Sequence, residues 1–316
     1  MPTIQTPFGT LDVLPGPEFF PDGSPRSCIV AGACPLATPL GPLVPQFTAN
    51  ALRKRQLPAI SFHQNGMIRN LPLEESTEVA TPLGPMPAEQ VTFYDTGALK
   101  RVFPLNGTLS GYWAQEDEAA LAEPMTLDTP IGPVEALIVS VYFGPRGALR
   151  SLTLWPGQTV DVPSPVGAVT ARIGVSFFDS GALKSLEPAT LSAVPTPVGE
   201  LLAFDPDAVG ICGDENSLRF RENGALRGLK THAHAFDVTL ENGRVCRVNP
   251  SLRRHPCDGE RLEAAPLSLE FGSGRVSLAG AGGVRMTAPV QEVQASRFFL
   301  PMQPLAPRCA MGAGKW

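Results

Sequence analysis

Two glycine signatures alternate along the first 230 residues of this chain, and together they leave room for little except β-hairpins. The first is centred on Gly66, Gly97, Gly147, Gly181 and Gly224. Four residues before each stands a phenylalanine (Phe62, Phe93, Phe143, Phe177, Phe220), and six before stands Ile60, Val91, Val141, Val175 or Leu218. The positions between are mostly polar, so apolar residues recur with period two, as on a strand with one buried face. Pairs such as Asp95-Thr96 and Glu222-Asn223 suit the centre of a type I turn, and the glycine supplies the left-handed residue that closes a bulged hairpin. Two residues later an apolar residue returns (Ile68, Leu99, Leu149, Leu183, Leu226), and this register sets it opposite the phenylalanine on the same face.

The second signature is Thr6-Pro7-Phe8-Gly9, repeated at Thr38–Gly41, Thr81–Gly84, Thr129–Gly132, Ser164–Gly167 and Thr196–Gly199. Proline presets φ at the second turn position and glycine closes the turn. Apolar residues lie two before the Thr or Ser (Ile4, Leu36, Val79, Leu127, Val162, Val194) and two after the glycine (Leu11, Leu43, Met86, Val134, Val169, Leu201). This too is a hairpin with a buried face.

The expected fold is all-β: about six tandem antiparallel two-hairpin repeats over residues 1–230, stacked as an elongated meander or solenoid, with a radially closed propeller as the alternative. In the first copy Phe19 and Gly23 occupy the Phe-type places. From Gly41 to Gly66, and again from Gly199 to Gly224, the spacing is 25 residues where the other copies have 13 to 15, and from Gly97 to Gly132 it is 35. The last of these holds Asn106-Gly107, a further hairpin signal, and the acidic, Ala-rich stretch 115–123, which suits a short helix. Beyond Leu229 the pattern decays, with worn hairpins at Glu241–Val245 and Ser273–Val276. Residues 231–316 are expected to form a β-rich cap over the end of the array.

The recurring Phe-x-x-x-Gly-(Ala/Met)-(Ile/Leu)-(Lys/Arg)-x-(Leu/Val), over residues 17–230, resembles the MORN-repeat group, particularly its bacterial variants; Asn106 to Trp113 looks like the same type of unit. The chain differs in placing a Thr-Pro-x-Gly hairpin in every unit and in lacking dense Gly-x-Gly spacing. The resemblance implies an extended antiparallel sheet used for protein or membrane contact, and no particular activity.

Composition narrows the partners. A formal net charge of −5 argues against a nucleic-acid binder, which needs a basic surplus to neutralise phosphates. No 18 consecutive apolar residues occur and the first 14 residues do not read as a leader, so a cytoplasmic chain is expected. Six cysteines in 316 residues are too sparse for a disulfide scaffold.

Three clusters carry chemistry. A cation follows each Phe-type glycine by three residues: Arg69, Lys100, Arg150, Lys184 and Arg227. Strand alternation would turn them away from the core as one basic row, a track for an anionic surface or ligand or else a solubilising row. His232, His234, Cys246, His255 and Cys257, with Cys212, share one window; His232 and His234 on one strand face have a spacing compatible with metal ligation, against a reading as core cysteines and surface histidines. Asp205, Asp207, Asp214 and Glu215 crowd an insertion and could act on a cation or as acid and base, or merely start turns. Gly312-Ala313-Gly314-Lys315 has no helix after it and does not read as a phosphate loop. No cofactor is expected. The first reading is a non-enzymatic scaffold for a protein or other macromolecular partner, with Pro104–Pro124 as a contact loop; the second is a metal-binding protein or enzyme with its site in residues 205–257.

Overall fold

The structure is a computed structural model and describes residues 2–49, 52–54, 60–255 and 258–300. Every Phe-type turn closes in one way. Tyr94 accepts the Gly97 N–H at 2.9 Å and gives its own N–H to the Ala98 carbonyl at 2.9 Å; Phe178 does the same with Gly181 and Ala182 at 3.0 and 2.8 Å. The first copy repeats it with Phe20, Gly23 and Ser24. The expected cross-strand pairs form: Phe62 with Ile68, Phe93 with Leu99, Phe143 with Leu149, Phe177 with Leu183 and Phe220 with Leu226.

One step further along, the register slips. Ser61 faces Asn70 although Phe62 faces Ile68, so Arg69 has no residue opposite it. The same β-bulge sets aside Lys100, Arg150, Lys184 and Arg227. Simple alternation is therefore not what places these cations: each is the extra residue of a bulge, and the insertion resets the phase of the strand. The next core position comes three residues later, Leu71 after Ile68, Val102 after Leu99, Leu152 after Leu149. Phe19 faces Pro25 and Glu18 faces Ser27, which adds Arg26 to the series.

The Pro-type turns are tied by their hydroxyls. Thr81 Oγ1 donates to the Gly84 carbonyl at 2.6 Å and accepts the Leu83 N–H at 3.1 Å. Thr6, Thr38, Thr129, Ser164 and Thr196 repeat this pair of bonds. Strands Ile68–Thr81, Gly84–Phe93, Gly132–Phe143 and Gly167–Phe177 serve both hairpin types. Near the Phe-type turn they lie in a continuous antiparallel sheet, and near the Pro-type turn they form a two-stranded arm. Register shifts at Pro72/Thr77, Ile138/Ser140 and Arg172/Val175 mark the bends between the two parts.

The arms fold over the sheet, and the first five of these prolines meet the following unit. Pro7 lies against Gly66, Pro82 against Gly147, Pro130 against Gly181 and Pro165 against Gly224, while Pro39 shares a small cavity with Gly97 and Phe93. Between the layers Phe143, Phe177, Val162, Val194 and Leu201 are wholly buried within one apolar cluster.

The sheet runs through all units in chain order and continues beyond Thr231 with Leu267–Gly272, Arg275–Ala279 and Arg285–Pro289. Among the described residues Glu18–Phe19 pairs only with Pro25–Cys28, and Arg285–Pro289 only with Arg275–Ala279, so the ladder is open at both ends. A propeller would divide it into separate blades; here one ladder joins consecutive units in an open meander folded into two layers. His234–Thr239, Val245–Val248 and Val293–Arg297 form a separate three-stranded sheet. Both worn hairpins close, around Gly243 and at Ser273-Gly274. Asn106-Gly107 does not make a hairpin: their N–H groups are taken by carboxylates, and the helix that follows is Gln115–Ala119.

An alanine at Gly147 must adopt φ near +85° and bring its Cβ to 3.2 Å from Pro82 Cγ, whereas at Gly157, φ +86°, nothing lies within 4 Å. Gly147→Ala should lower the unfolding free energy by about 1–3 kcal/mol and Gly157→Ala by less, in urea titrations followed by circular dichroism. Equal losses would deny the proline contact any role.

Candidate functional site

The outer face of the main sheet, opposite the phenylalanines, is covered by an inserted loop. Its floor carries Ser140, Ser151, Thr153, Ser176 and Ser185, none more than 3% exposed although polar and facing away from the core. The segment 204–217 lies on these small side chains. Gly213 packs against Gly174, where neither residue has a Cβ, and its N–H donates to Thr153 Oγ1 at 3.0 Å. Asn216 Nδ2 donates to Ser185 Oγ at 2.9 Å and to the Gly213 carbonyl at 3.0 Å. Asp214 takes bonds of 2.5 Å from Arg101 and from Ser151 Oγ. Ile173, preceding Gly174, holds φ at +61°, a strained value for a β-branched residue, at the bend beneath the loop.

A second insertion is anchored by a buried ion cluster. Arg53 Nη2 reaches Glu89 and Glu118 at 2.7 Å each, with the three side chains 13%, 10% and 3% exposed. Glu118 also accepts from Trp113 Nε1 and from the Gly107 N–H, both at 2.7 Å. Burial alone would raise the Glu118 carboxyl; the bonds from Arg53, Trp113 and Gly107, with the Arg53 charge, hold it below the ordinary carboxylate range. The two insertions meet over the sheet at a cavity of about 220 Å³, lined by Leu105 and Leu109 from one, Ile211 from the other, and Phe103, Val139 and Trp155 beneath. The Trp155 indole N–H is buried without an acceptor among the described residues.

On the far side of segment 204–217 lies a polar cleft of about 490 Å³. All four acidic residues singled out in the sequence, Asp205, Asp207, Asp214 and Glu215, line it, together with Glu187. Asp205 pairs with Lys230 at 2.7 Å, and Asp207 with Arg253. Glu187 is 2% exposed and accepts the Ser217 N–H and hydroxyl at 2.8 Å each. Burial raises its carboxyl, the Ser217 bonds oppose this, Asp205 adds to it and Arg172 opposes it; the net direction is upward.

Of the expected basic row, Lys184 and Arg227 line this cleft, Arg150 pairs with Asp179 at 2.8 Å, and Lys100 stands over the Tyr94 ring at 5.4 Å. Arg69 is exposed, as is Arg26, which belongs to the same series. Continuing the three-residue offset from Gly23 would have found it.

His232 and His234 do not share a strand face. Thr231 Oγ1 accepts the Ala233 N–H in a bend before strand His234–Thr239, so His232 turns edge-on to Phe204 at 5.8 Å. His234 is buried 3.3 Å from Thr231 Oγ1, and burial with the Arg297 charge lowers its imidazole to about 4. Cys246 lies on strand Val245–Val248. Cys257, the side chain of His255, and Gly312 to Lys315 lie outside the described residues. Among those described, no three of His, Cys, Asp and Glu gather as a metal-ligand set, and no helix is long and apolar enough to cross a membrane. No protein-family model, curated protein or solved structure matches the chain.

Arg53→Met leaves Glu89 and Glu118 without their cation and should cost about 3–5 kcal/mol near neutral pH. Because the folded-state pKa of Glu118 is depressed, its contribution is complete above the unfolded value near 4.5 and is lost as pH falls through the folded one. The deficit should therefore shrink in acid, measured by urea unfolding from pH 7 to 3. A pH-independent deficit would contradict the ion-pair assignment.

Proposed function

We propose that the chain is a non-enzymatic β-repeat scaffold that docks a protein partner on the outer face of its sheet, through the two inserted loops. The observation that carries this reading is that both insertions flank one cavity on that face while holding large apolar side chains out to solvent. Tyr112 and Val209 are each 83% exposed, and Leu109 and Ile211 about half. Such residues rimmed by polar side chains are characteristic of interaction surfaces. The resemblance to MORN repeats points the same way.

Removing Pro104–Pro124 whole would also take Glu118 from Arg53, so point changes are the cleaner probe. Tyr112→Ala with Val209→Asp should leave the melting temperature within about 2 °C, since exposed sites contribute little to stability. It should also abolish retention of a partner that the unaltered chain captures and that co-elutes with it stoichiometrically. Unchanged retention would remove the loops from the interface.

A second reading, an enzyme or metal-binding protein centred on residues 205–257, draws on the upward-shifted Glu187, the condition of a general acid, in a cleft of ligand size. Elemental analysis separates the two. A stoichiometric metal lost when His232 and His234 become Ala would favour the second, and metal-free protein would remove its metal form.

A further inference from the structure

We propose that the cleft beside segment 204–217 binds a small phosphorylated, hydroxyl-bearing molecule of the sugar-phosphate class, its dianion held between Lys184 and Arg227. This goes beyond the protein-docking reading and does not rest on it. Both cations are bulge residues that line the cleft, and neither side chain has a hydrogen bond or ion pair among the described residues. They stand on strands Leu183–Pro188 and Leu226–Thr231, which flank Leu218–Phe220, so their backbones are about 10 Å apart. From that separation two long side chains can reach one phosphate-sized group. Arg227 offers a planar fork suited to two phosphate oxygens, and Lys184 a point charge. Arg219, on the strand between, pairs with Glu270, a half-exposed partner at 2.8 Å.

The acidic lining does not defeat this charge. Asp205, Asp207 and Asp214 each have a cation of their own, and Glu187 faces the donors of Ser217 while burial disfavours its charge. Glu215 alone stays exposed with no partner among the described residues. The hydroxyl requirement comes from Asn216. It is more than nine-tenths buried and lines the cleft; its Nδ2 is used twice, but its Oδ1 has no donor. That oxygen has almost no accessible surface, so a small side-chain shift must admit the ligand O–H that would satisfy it; an oxyanion would not.

The same dianion could arrive on a phosphorylated side chain of a protein. Isothermal titration of the full chain with glycerol phosphate, inorganic phosphate and a phosphoserine peptide distinguishes the sources. Glycerol phosphate should bind saturably and most tightly. The Lys184→Gln/Arg227→Gln variant, with an unchanged melting temperature, should weaken it at least tenfold, and Glu215→Gln should tighten it severalfold by removing a like charge. Added salt should weaken it. Heats no larger than dilution, binding that survives the double variant, or preference for the phosphopeptide would each overturn the assignment.

Discussion

The structure depends on one shared dry layer. Neither hairpin type can bury its apolar face alone, because a two-stranded ribbon has a single face and no partner. Folding each long strand at a bulge lays the Pro-type arm over the Phe-type sheet, so that Val162, Val194 and Leu201 above complete Phe143 and Phe177 below. Burying each such side chain is worth roughly 1.5–3 kcal/mol. The prolines then carry the packing from unit to unit: Pro82 rests on Gly147 and Pro130 on Gly181, each in the unit after its own. Glycine is thus needed twice at one position, for its positive φ and for the space the neighbouring ring occupies.

That division of labour frees the opposite face of the sheet. With the core on one side, outward positions of the central strands can be small hydroxyls, and segment 204–217 lies down on Ser151, Thr153 and Ser185. The other insertion reaches its place through Arg53, whose cation is shared by carboxylates from two distant segments. A regular array thus carries its inserted material over one face, which is the arrangement the proposed scaffold reading calls for.

Much of this was legible in the residues. The Phe and Leu/Ile pairs, the Pro-type pairs such as Val79 with Met86, and the turn chemistry all follow from local spacing, and local spacing is what strand periodicity reports. The bulge was written there as well: Leu99 to Val102 is three residues, a break in alternation that only an extra residue explains. Asn106-Gly107 misled because a hairpin dipeptide is equally a pair of free N–H groups, and here two buried carboxylates claimed them. The bend at Thr231–Ala233 parted His232 from His234 for a similar reason, a side-chain hydroxyl competing with the ladder. The shapes of the clefts could not be read, although four acidic residues and two cations that line one of them stood out, since those shapes depend on contacts such as Arg101 with Asp214 between residues far apart in the chain.

The interlocking of each arm with the following unit is open to direct observation. In nuclear Overhauser spectra of proline- and glycine-labelled protein, the ring protons of Pro82, Pro130 and Pro165 should give cross-peaks to the α protons of Gly147, Gly181 and Gly224, respectively. Cross-peaks to the glycine of the same unit instead, Pro82 to Gly97 or Pro130 to Gly147, would mean that the arms fold the other way and that the two-layer account is wrong.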